Sequence, residues 1–386
     1  MTRELVAIDG ADASAVSRAL RAALDGSGPA VRVASDPLTS TVARRIALVV
    51  ETSGSSGEPK RVALSSTALL TSAAATEAAL GGPGQWLLCL PTHYIAGAQV
   101  LVRSITAGTD PVVLPAGHFD AAAFVRAARG LDGDRRYVSL VPVQLARLLD
   151  LAEADAASAA VLRRFDGVLV GGQATPLPLR ERAAALGVTV RLSYGSSETA
   201  GGCVYDGIPI GSTRVRIDAG QVLLGGEVLA EGYLDADYAL DVERTANAFP
   251  EEHGERWYRT GDAGGFEAGT VSISGRMDRV IISGGEKVSL DAVERVVREL
   301  GATDAVAVRA ADPQWGEVPV VFSASALELA ALRGAVAERL GRAAAPSAAV
   351  RREIPLLESG KPDRRALERL LATGGQPHAG RHSATG

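Results

Sequence analysis

A strand-like run, Ile46-Ala47-Leu48-Val49-Val50, leads through Glu51 into the loop Thr52-Ser53-Gly54-Ser55-Ser56-Gly57-Glu58-Pro59-Lys60. The apolar run predicts a buried strand, and a helical segment is predicted to follow at Ser66. A loop rich in glycine and hydroxyl groups that leaves a strand can offer backbone N–H groups to an anion. It lacks the Gly-Lys-Ser/Thr of a Walker A motif. Because a flexible turn is the commoner structure for such a loop, a phosphate site needs support from the rest of the chain.

Strand-like and helix-like segments alternate from this loop to about residue 194. The predicted strands are nearly continuous apolar runs, such as Gly167–Val170, which are typical of parallel sheets covered by helices. After Val204, short β-like runs predict a smaller, more antiparallel, β-rich subdomain. A hairpin at Gly284-Gly285 then opens a small α+β module. The sequence thus predicts an α/β fold with a large N-terminal domain (residues 1–277), a small C-terminal domain (278–372) and a disordered tail (373–386).

Residues 1–45 contain one predicted helix, Ala13–Leu24, and no motif that suggests chemistry. Only about 50 residues precede the loop 52–60.

The composition excludes several classes of protein. Net charge is −5, from 40 basic and 45 acidic residues in a chain of 386, which favours no nucleic-acid partner. No apolar run is long enough to span a bilayer, and the N-terminus lacks a signal-peptide pattern. Cys89 and Cys203 are too few for a disulfide framework or a cysteine-based metal site. We therefore expect a cytoplasmic protein without membrane insertion and with two reduced, packed thiols.

Only three of the 40 basic residues are lysines: Lys60, Lys287 and Lys361. A lysine is a compact point charge, whereas arginine is a planar fork. All three lysines lie in loops that have a functional character, so they are candidates for roles that arginine cannot fill.

Five short loops share a content of Gly, Ser, Thr or acidic residues and lie where predicted strands end. They are residues 52–60, Gly171-Gly172-Gln173-Ala174, Ser193–Thr199, Tyr258–Asp262 and Leu357–Arg364. Glycines let a flat ligand approach the backbone, and the Glu198 carboxylate suits Mg²⁺. Asp262, in a tight turn, could hold a ribose diol. Each loop alone would be read as a turn, but five in this order favour a nucleotide site.

The order of the loops resembles the AMP-forming acyl-CoA synthetase and adenylation superfamily, over about residues 48–365. The motifs that carry the resemblance are the loop 52–60, Tyr194-Gly195-Ser196-Ser197-Glu198, Thr260-Gly261-Asp262, Gly275-Arg276-Met277-Asp278 and Gly360-Lys361. The resemblance implies a two-step reaction. A carboxylate attacks the α-phosphate of ATP to give an acyl-adenylate and pyrophosphate, and the thiol of coenzyme A then displaces AMP.

The resemblance also implies roles for individual residues. Lys361 would be catalytic and bridge the acyl carboxylate and the α-phosphate, while Glu198 would lie near Mg²⁺. The β- and γ-phosphates would be held by Thr52, Ser53, Gly54, Ser55, Ser56, Gly57 and Lys60. The nucleotide would be bound by Gly172, Gln173, Tyr194, Ser197, Asp262 and Arg276.

The second half-reaction would require a movement of the small domain. The resemblance implies rotation about a hinge at Asp278, which withdraws Lys361 and brings the Gly284-Gly285 hairpin to the thiol tunnel. For Lys287 a solvated hairpin charge is favoured over contact with coenzyme A phosphate.

Within the superfamily, the chain is most similar to the o-succinylbenzoate–CoA ligases of menaquinone biosynthesis, in their compact actinobacterial form. The similarity rests on residues 90–97, residues 100–104 and the long run from Tyr194 to Gly207. o-Succinylbenzoate has two carboxylates, of which one is activated and the other is only bound. We expect an acyl pocket with a hydroxyl or an arginine, Arg103 or Arg214, for the second carboxylate, lined by His93, Gly172, Ser196, Gly201 and Gly202.

Two departures from the superfamily pattern are noted. Ser197 replaces a usual threonine but keeps the hydroxyl, and the short N-terminal region would favour a homodimer. Three alternatives stay open: a CoA ligase for another aryl or short acyl acid, an adenylation domain that loads a carrier protein, and a nucleotide-binding regulator with an inactive site.

Overall fold

The computed structural model describes residues 1–53, 59–115, 117–357 and 362–372, without the side chains of Ser53 and Pro59. These residues form two compact units. The first comprises residues 1–175, 179–260 and 266–272, and the second comprises residues 176–178, 261–265 and the chain from Ile273 onward. The predicted domain boundary after residue 277 stays a prediction.

The helices alternate with strands in the first half of the chain and recur in the second unit. They are α1 (Ala13–Asp25), α2 (Ser66–Ala79), α3 (Ile95–Ala107), α4 (Ala121–Ala128), α5 (Pro142–Ala154), α6 (Ala156–Leu162), α7 (Leu177–Ala185), α8 (Val242–Ala248), α9 (Leu290–Glu299), α10 (Leu329–Leu340) and α11 (Arg364–Ala372). Single 3₁₀ turns cover Ser197–Thr199, Met277–Arg279 and Arg342–Ala344.

The strands form four sheets. They are β1 (Thr2–Ile8), β2 (Ala30–Val33), β3 (Thr39–Ala43), β4 (Ile46–Ser53), β5 (Pro59–Ser65), β6 (Gln85–Leu88), β7 (Val112–Val113), β8 (Arg136–Leu140), β9 (Gly167–Val170), β10 (Val190–Ser196), β11 (Gly201–Tyr205), β12 (Ile208–Pro209), β13 (Arg214–Asp218), β14 (Gln221–Gly225), β15 (Gly232–Leu234), β16 (Glu251–Glu252), β17 (Glu255–Glu267), β18 (Thr270–Arg276), β19 (Val280–Ser283), β20 (Glu286–Ser289), β21 (Val306–Asp312), β22 (Gly316–Ser323) and β23 (Ala348–Arg351).

The first sheet has the order β15-β5-β4-β2-β1-β3, so the N-terminal residues supply half of its strands. The sequence analysis identified only the helix Ala13–Leu24 in residues 1–45 and therefore missed β1, β2 and β3. The strand β2 escaped detection because Arg32 lies in the middle of it. Arg32 is nevertheless buried, since it donates hydrogen bonds to Glu51 (3.1 Å) and to the Tyr238 hydroxyl (3.0 Å).

The second sheet has the order β12-β11-β10-β9-β8-β6-β7. Strands β6 to β10 pair in parallel, and β11 joins β10 in antiparallel pairing. The parallel strands bury apolar side chains against α4, α5 and α6, which confirms the reading of their near-continuous apolar runs. A third sheet has the order β13-β14-β17-β16, with β18 paired to β17.

The second unit holds a sheet with the order β20-β19-β22-β21, with β23 paired to β22. The hairpin predicted at Gly284-Gly285 is confirmed, because β19 and β20 pair from Val280–Ser289 to Ser283–Glu286. Both glycines have positive φ, +57° and +87°, which explains their use in this turn. Helices α9 and α10 close an apolar core around Val293 and Val336.

No helix in the described part of the chain is both long and apolar enough to cross a membrane.

Helix α1 ties the N-terminal residues to the core of the first unit, and it can be tested by substitution. Leu20 is fully buried there, so Leu20→Ala is expected to lower the free energy of unfolding by about 2–5 kcal/mol, through lost burial and a cavity. Chemical denaturation measures the loss. Arg18 lies on the exposed face of α1, so Arg18→Ala should stay within about 0.5 kcal/mol of wild type. Equal effects of the two changes would contradict this packing.

Candidate active site

The predicted phosphate loop connects β4 and β5, whose residues Thr52 and Lys60 are register partners. The antiparallel pair therefore holds the two ends of the loop together. Gly54, Ser55, Ser56 and Gly57 lie outside the described residues, as do the side chain of Ser53 and the whole of Glu358–Lys361. The predicted anion contacts of these residues, and the predicted role of Lys361, stay predictions.

Strand β10 continues further than predicted. Tyr194 and Ser196 were expected in a loop, but they extend the strand, and only Ser197–Thr199 forms a turn. The extension comes from antiparallel pairing with β11, which includes a register shift between Tyr194 and Gly195. A Cβ atom at Gly195 would lie 2.2 Å from the Gly201 carbonyl oxygen. Glycine is therefore required at this position for the two strands to meet.

The turn that follows β10 presents Glu198. The Ser196 hydroxyl accepts a hydrogen bond from the Glu198 N–H (3.2 Å), and the Ser196 N–H donates to Thr199 Oγ1 (2.9 Å). On the other side, the Ala230 N–H donates to the Glu198 carbonyl (2.8 Å). Ser196, predicted in the acyl pocket, thus has a clear structural role as the cap of the turn that carries Glu198.

The Glu198 carboxylate is buried and contacts a tyrosine that the sequence analysis missed. The Tyr233 hydroxyl donates to Glu198 Oε1 (2.8 Å). Lys60 Nζ lies 5.5 Å from the centroid of the same ring, and the Arg244 guanidinium lies 5.2 Å from it. Burial and the neighbouring Glu198 raise the pKa of Tyr233, so the hydroxyl stays protonated and remains a donor. Tyr233 therefore contacts both groups: its hydroxyl donates to the Glu198 carboxylate, and its ring lies near the Lys60 ammonium group.

This arrangement suits Mg²⁺ bound together with phosphates. Within the residues that the structure describes, no group of three or more His, Cys, Asp or Glu side chains could hold a metal ion. Mg²⁺ commonly takes one or two carboxylates plus substrate phosphates instead of a full cage of protein ligands. Glu198 supplies a hard carboxylate oxygen, and its contact with Tyr233, whose ring also lies near Lys60 Nζ, fits that mode.

The loop after β9 lies against β10. Gly171 packs so closely that a Cβ atom there would lie 2.9 Å from the Ser193 carbonyl oxygen. Gly172 has φ +78°, a conformation that favours glycine. Gln173 follows in a half-buried bend. Since Ser193 immediately precedes Tyr194, the structure brings the predicted nucleotide-binding residues Gly172 and Gln173, after β9, close to Tyr194 on β10.

The predicted acyl-pocket residues meet helix α3. A Cβ atom at Gly201 would lie 3.3 Å from Gln99 Cγ on this helix, whereas one at Gly202 would lie 2.0 Å from Ser193 Oγ. His93 lies exposed, just before α3, with its ring 4.1 Å from the ring of Tyr94. His93 and Gly201 are therefore associated with the same end of α3.

Gln99 is a second residue that sequence reasoning missed. Its side-chain N–H donates to the Ala200 carbonyl (2.8 Å), which also accepts from the Ser72 hydroxyl (2.9 Å). Ala200 has φ +50°, so these bonds hold an unfavourable backbone conformation next to Gly201. A buried glutamine one turn into an apolar helix was the only available signal.

Arg103 follows Gln99 by one helical turn, so both occupy one face of α3. It is buried, with its guanidinium 4.9 Å from the Trp86 ring. Its Nε has no hydrogen-bond partner in the described part of the chain. Burial lowers the pKa of Arg103, and Tyr205 opposes that shift. Arg214, the other predicted candidate, forms a half-exposed ion pair with Glu255 on the third sheet.

The two cysteines are unreactive in this structure. Burial raises the pKa of Cys203 to about 12, and it also raises the pKa of Cys89. Both remain thiols at neutral pH, as expected for packed residues.

In the second unit, Arg276 joins two predicted site residues. Its guanidinium pairs with Asp262 (3.3 Å) and with Asp278, the predicted hinge (3.2 Å). The expectation that Asp262 lies in a tight turn was wrong, because residues 258–262 belong to β17. Gly261 misled the prediction. Its φ of +73° is accommodated inside the strand, against the Arg276 guanidinium.

The hairpin residue Lys287 is exposed on β20, opposite Ile282. This agrees with a solvated charge at that position.

The sequence and fold were compared with known proteins. Residues 5–234 match the family model of the AMP-binding enzyme. A probable 2-succinylbenzoate–CoA ligase of Mycobacterium tuberculosis is 40% identical over 340 residues, which are 85% of each chain. The Escherichia coli 2-succinylbenzoate–CoA ligase is 31% identical over 287 residues, 72% of this chain and 58% of the relative.

Solved structures with a similar fold include the following two. The o-succinylbenzoate CoA synthetase of Bacillus subtilis, in complex with its acyl-adenylate intermediate, is 25% identical with a TM-score of 0.71, over 86% of this chain and 72% of that one. An amide bond synthetase of Marinactinospora thermotolerans is also 25% identical with a TM-score of 0.71, over 89% and 75%.

The contact between Tyr233 and Glu198 leads to a prediction. Tyr233→Phe removes the donor to Glu198, so the Mg²⁺ concentration that gives half-maximal ATP binding should rise about three- to tenfold, as for loss of one hydrogen bond to a charged group. Titration of Mg²⁺ at fixed ATP measures this shift. Tyr238→Phe is the matched control, because it removes a buried tyrosine hydroxyl that pairs with Arg32 instead. Equal shifts in both variants would contradict the role of Tyr233.

Proposed function

Because the chain belongs to the AMP-binding enzyme family, we propose that it is an AMP-forming ligase that converts o-succinylbenzoate to o-succinylbenzoyl-CoA. ATP is the first co-substrate, an acyl-adenylate is the intermediate, and AMP and pyrophosphate are released. The observation that carries the proposal is 40% identity to a probable 2-succinylbenzoate–CoA ligase over 85% of both chains. In this proposal the reaction is a step of menaquinone biosynthesis.

The first half-reaction joins two anions, so positive charge and positioning supply most of the catalysis. In our proposal the loop 52–60 holds the terminal phosphates, and Lys60 adds charge at the end of β5. Lys361 bridges the acyl carboxylate and the α-phosphate. The pairing of Thr52 with Lys60 supports the role of the loop 52–60, because it keeps the two ends of that loop together near the Glu198 turn.

Glu198 is the residue proposed to hold Mg²⁺, which when bound neutralises phosphate charge. Tyr233 orients the carboxylate by donating to Oε1. The remaining carboxylate oxygen is then directed by a protein hydrogen bond and not by solvent.

The nucleotide is proposed to bind along the ends of β9 and β10. Tyr194 would stack on adenine beside Gly172 and Gln173, with Ser197 on the following turn. In the second unit, Asp262 would bind the ribose hydroxyls and Arg276 would lie nearby. The ion pair between them supports the second part, because it fixes the Asp262 carboxylate.

For the second half-reaction we retain the predicted rotation about Asp278. It would remove Lys361 and bring the Gly284-Gly285 hairpin to the thiol of coenzyme A. The positive φ values of both glycines support a tight hairpin tip without bulky side chains. Lys287 is assigned no catalytic role.

The acyl pocket is proposed to lie at the start of α3, between His93 and Gly201. Of the two arginines considered for the benzoate carboxylate, Arg103 is favoured. It shares a helix face with Gln99, which contacts the Gly201 backbone region, and its buried Nε lacks a partner in the described residues. A ligand carboxylate would compensate that charge. Arg214 already pairs with Glu255.

A homodimer and a cytoplasmic location remain proposals from the sequence. Light scattering coupled to gel filtration tests the first of them.

The function is tested by acid-dependent exchange of pyrophosphate into ATP. o-Succinylbenzoate is compared with benzoate, succinate and a fatty acid. Exchange with o-succinylbenzoate above the other acids is expected. Exchange only with another acid would favour the alternative ligase, and no exchange with any acid would favour the inactive regulator. Thioester formation with free coenzyme A excludes loading of a carrier protein.

Arg103→Met tests the carboxylate partner. The KM for o-succinylbenzoate should rise at least about tenfold, because a charged hydrogen-bonding partner is lost, while the KM for ATP should change little. Arg214→Met is the matched control and should leave both values near wild type. A larger rise in Arg214→Met than in Arg103→Met would reverse the assignment.

Lys361→Ala tests the separation of the half-reactions. Acyl-adenylate formation should fall by about three orders of magnitude, as when a transition-state charge partner is removed. ATP binding, and most thioester formation from a supplied adenylate, should remain. Equal losses in both half-reactions would contradict the proposed role.

A further inference from the structure

Glu294, on α9 of the second unit, is the centre of a buried ion cluster. It is 3% exposed. Its Oε1 accepts hydrogen bonds from Arg279 Nη2 (2.6 Å), the Ala307 N–H (3.0 Å) and Arg364 Nη2 (3.2 Å). Its Oε2 accepts from Arg298 Nη2 (3.1 Å) and from the same Arg364 Nη2 (3.1 Å). Three arginines from different parts of the sequence therefore converge on one carboxylate.

The first arm of the cluster leads to the hinge. Arg279 directly follows Asp278, and its Nε also pairs with Asp291, one turn before Glu294 on α9 (2.8 Å). The Arg276 N–H donates to Asp291 Oδ2 (2.6 Å). The residues on both sides of Asp278 are thus attached to α9, Arg276 through its backbone and Arg279 through its side chain.

The second arm leads to the segment that follows Lys361. Arg364 begins α11, and the Asp363 N–H donates to the Pro355 carbonyl (2.7 Å). A β-bridge joins Leu356 to Pro362. The described chain on either side of residues 358–361 is therefore held together, and Arg364 attaches it to Glu294.

The third arm stays within the local structure. Arg298 lies four residues after Glu294 on the same helix, and its Nε donates to the Ala305 carbonyl (3.0 Å). Burial raises the pKa of Glu294, whereas Arg279 and Arg298 lower it. Because Arg298 links neither the hinge nor the lysine segment, it separates a positioning role from general stabilisation by the cluster.

We propose that Glu294 is a positioning residue that joins the hinge segment and the segment carrying Lys361 to one helix. Rotation about Asp278 then moves α9 together with the chain that directly follows Lys361, so that the lysine would be carried with the helix. This inference rests on the proposed function, in which Lys361 serves the first half-reaction.

The test removes the contact between Arg364 and Glu294 and keeps the arginines of the other two arms. Arg364→Met should lower acyl-adenylate formation at least about tenfold, since misplacement of a catalytic group is costly. Thioester formation from a supplied adenylate and coenzyme A should change less than about threefold, because Lys361 is not used there. The matched control, Arg298→Met, removes an arginine from the same carboxylate and should change both half-reactions less than about threefold.

A double substitution supplies a readout that a merely structural role would not move. If Arg364 acts through Lys361, Arg364→Met should have almost no further effect on adenylation in the Lys361→Ala background. Equal losses in both half-reactions, the same loss in Arg298→Met, or an undiminished effect in the Lys361→Ala background would each overturn the inference.

Amide hydrogen exchange separates this inference from the proposed function. In the full-length protein, Arg364→Met should speed exchange at residues 363–367 relative to wild type and to Arg298→Met. This readout needs no turnover. Absence of wild-type adenylation with every acid would count against the proposed function alone, whereas unchanged exchange at residues 363–367 would overturn the positioning role in either case.

Discussion

The hydrogen bond from Tyr233 to Glu198 connects two sheets that the chain builds separately. Tyr233 lies on β15, at the edge of the first sheet, and Glu198 lies on the turn between β10 and β11 of the second. Lys60, on β5, lies over the ring of the same tyrosine. A change in the packing of the two sheets would therefore separate the carboxylate from the lysine. The burial of both sheets in one apolar core, around Val62 and Tyr233, keeps them together.

The sequence predicted the parallel strands and the Gly284-Gly285 hairpin well, because apolar runs and paired glycines act locally. It failed where a distant partner decides the structure. Arg32 is acceptable inside β2 only because Glu51 and Tyr238 satisfy it. Residues 194–196 stay extended only because β11 returns to pair with them. Tyr233 could not be connected with Glu198 from the sequence, since 35 residues separate them.

The scarcity of lysine has a structural counterpart. Arginines make the ion pairs of this fold, as in the cluster around Glu294, where one guanidinium can contact two carboxylate oxygens. Lys60 instead lies above an aromatic ring, and Lys287 points into solvent. The framework thus uses planar forks for its ion pairs, whereas Lys60, on β5, and Lys287, on β20, lie in strands and not in the loops expected from the sequence.

Arg103 Nε has no hydrogen-bond partner among the described residues, and in the proposed function this couples the stability of the folded protein to substrate binding. A buried cation without a counter-charge lowers the stability of the empty protein, and a ligand anion that reaches it returns that stability on binding. Among the described residues, Arg103 takes part in no salt bridge, and its burial beside Trp86 leaves no room for hydration comparable to that at the surface. If Arg103 binds the benzoate carboxylate as proposed, the substrate would therefore raise the stability of the first unit. Resistance to heat or proteolysis would then report how much substrate the cell contains.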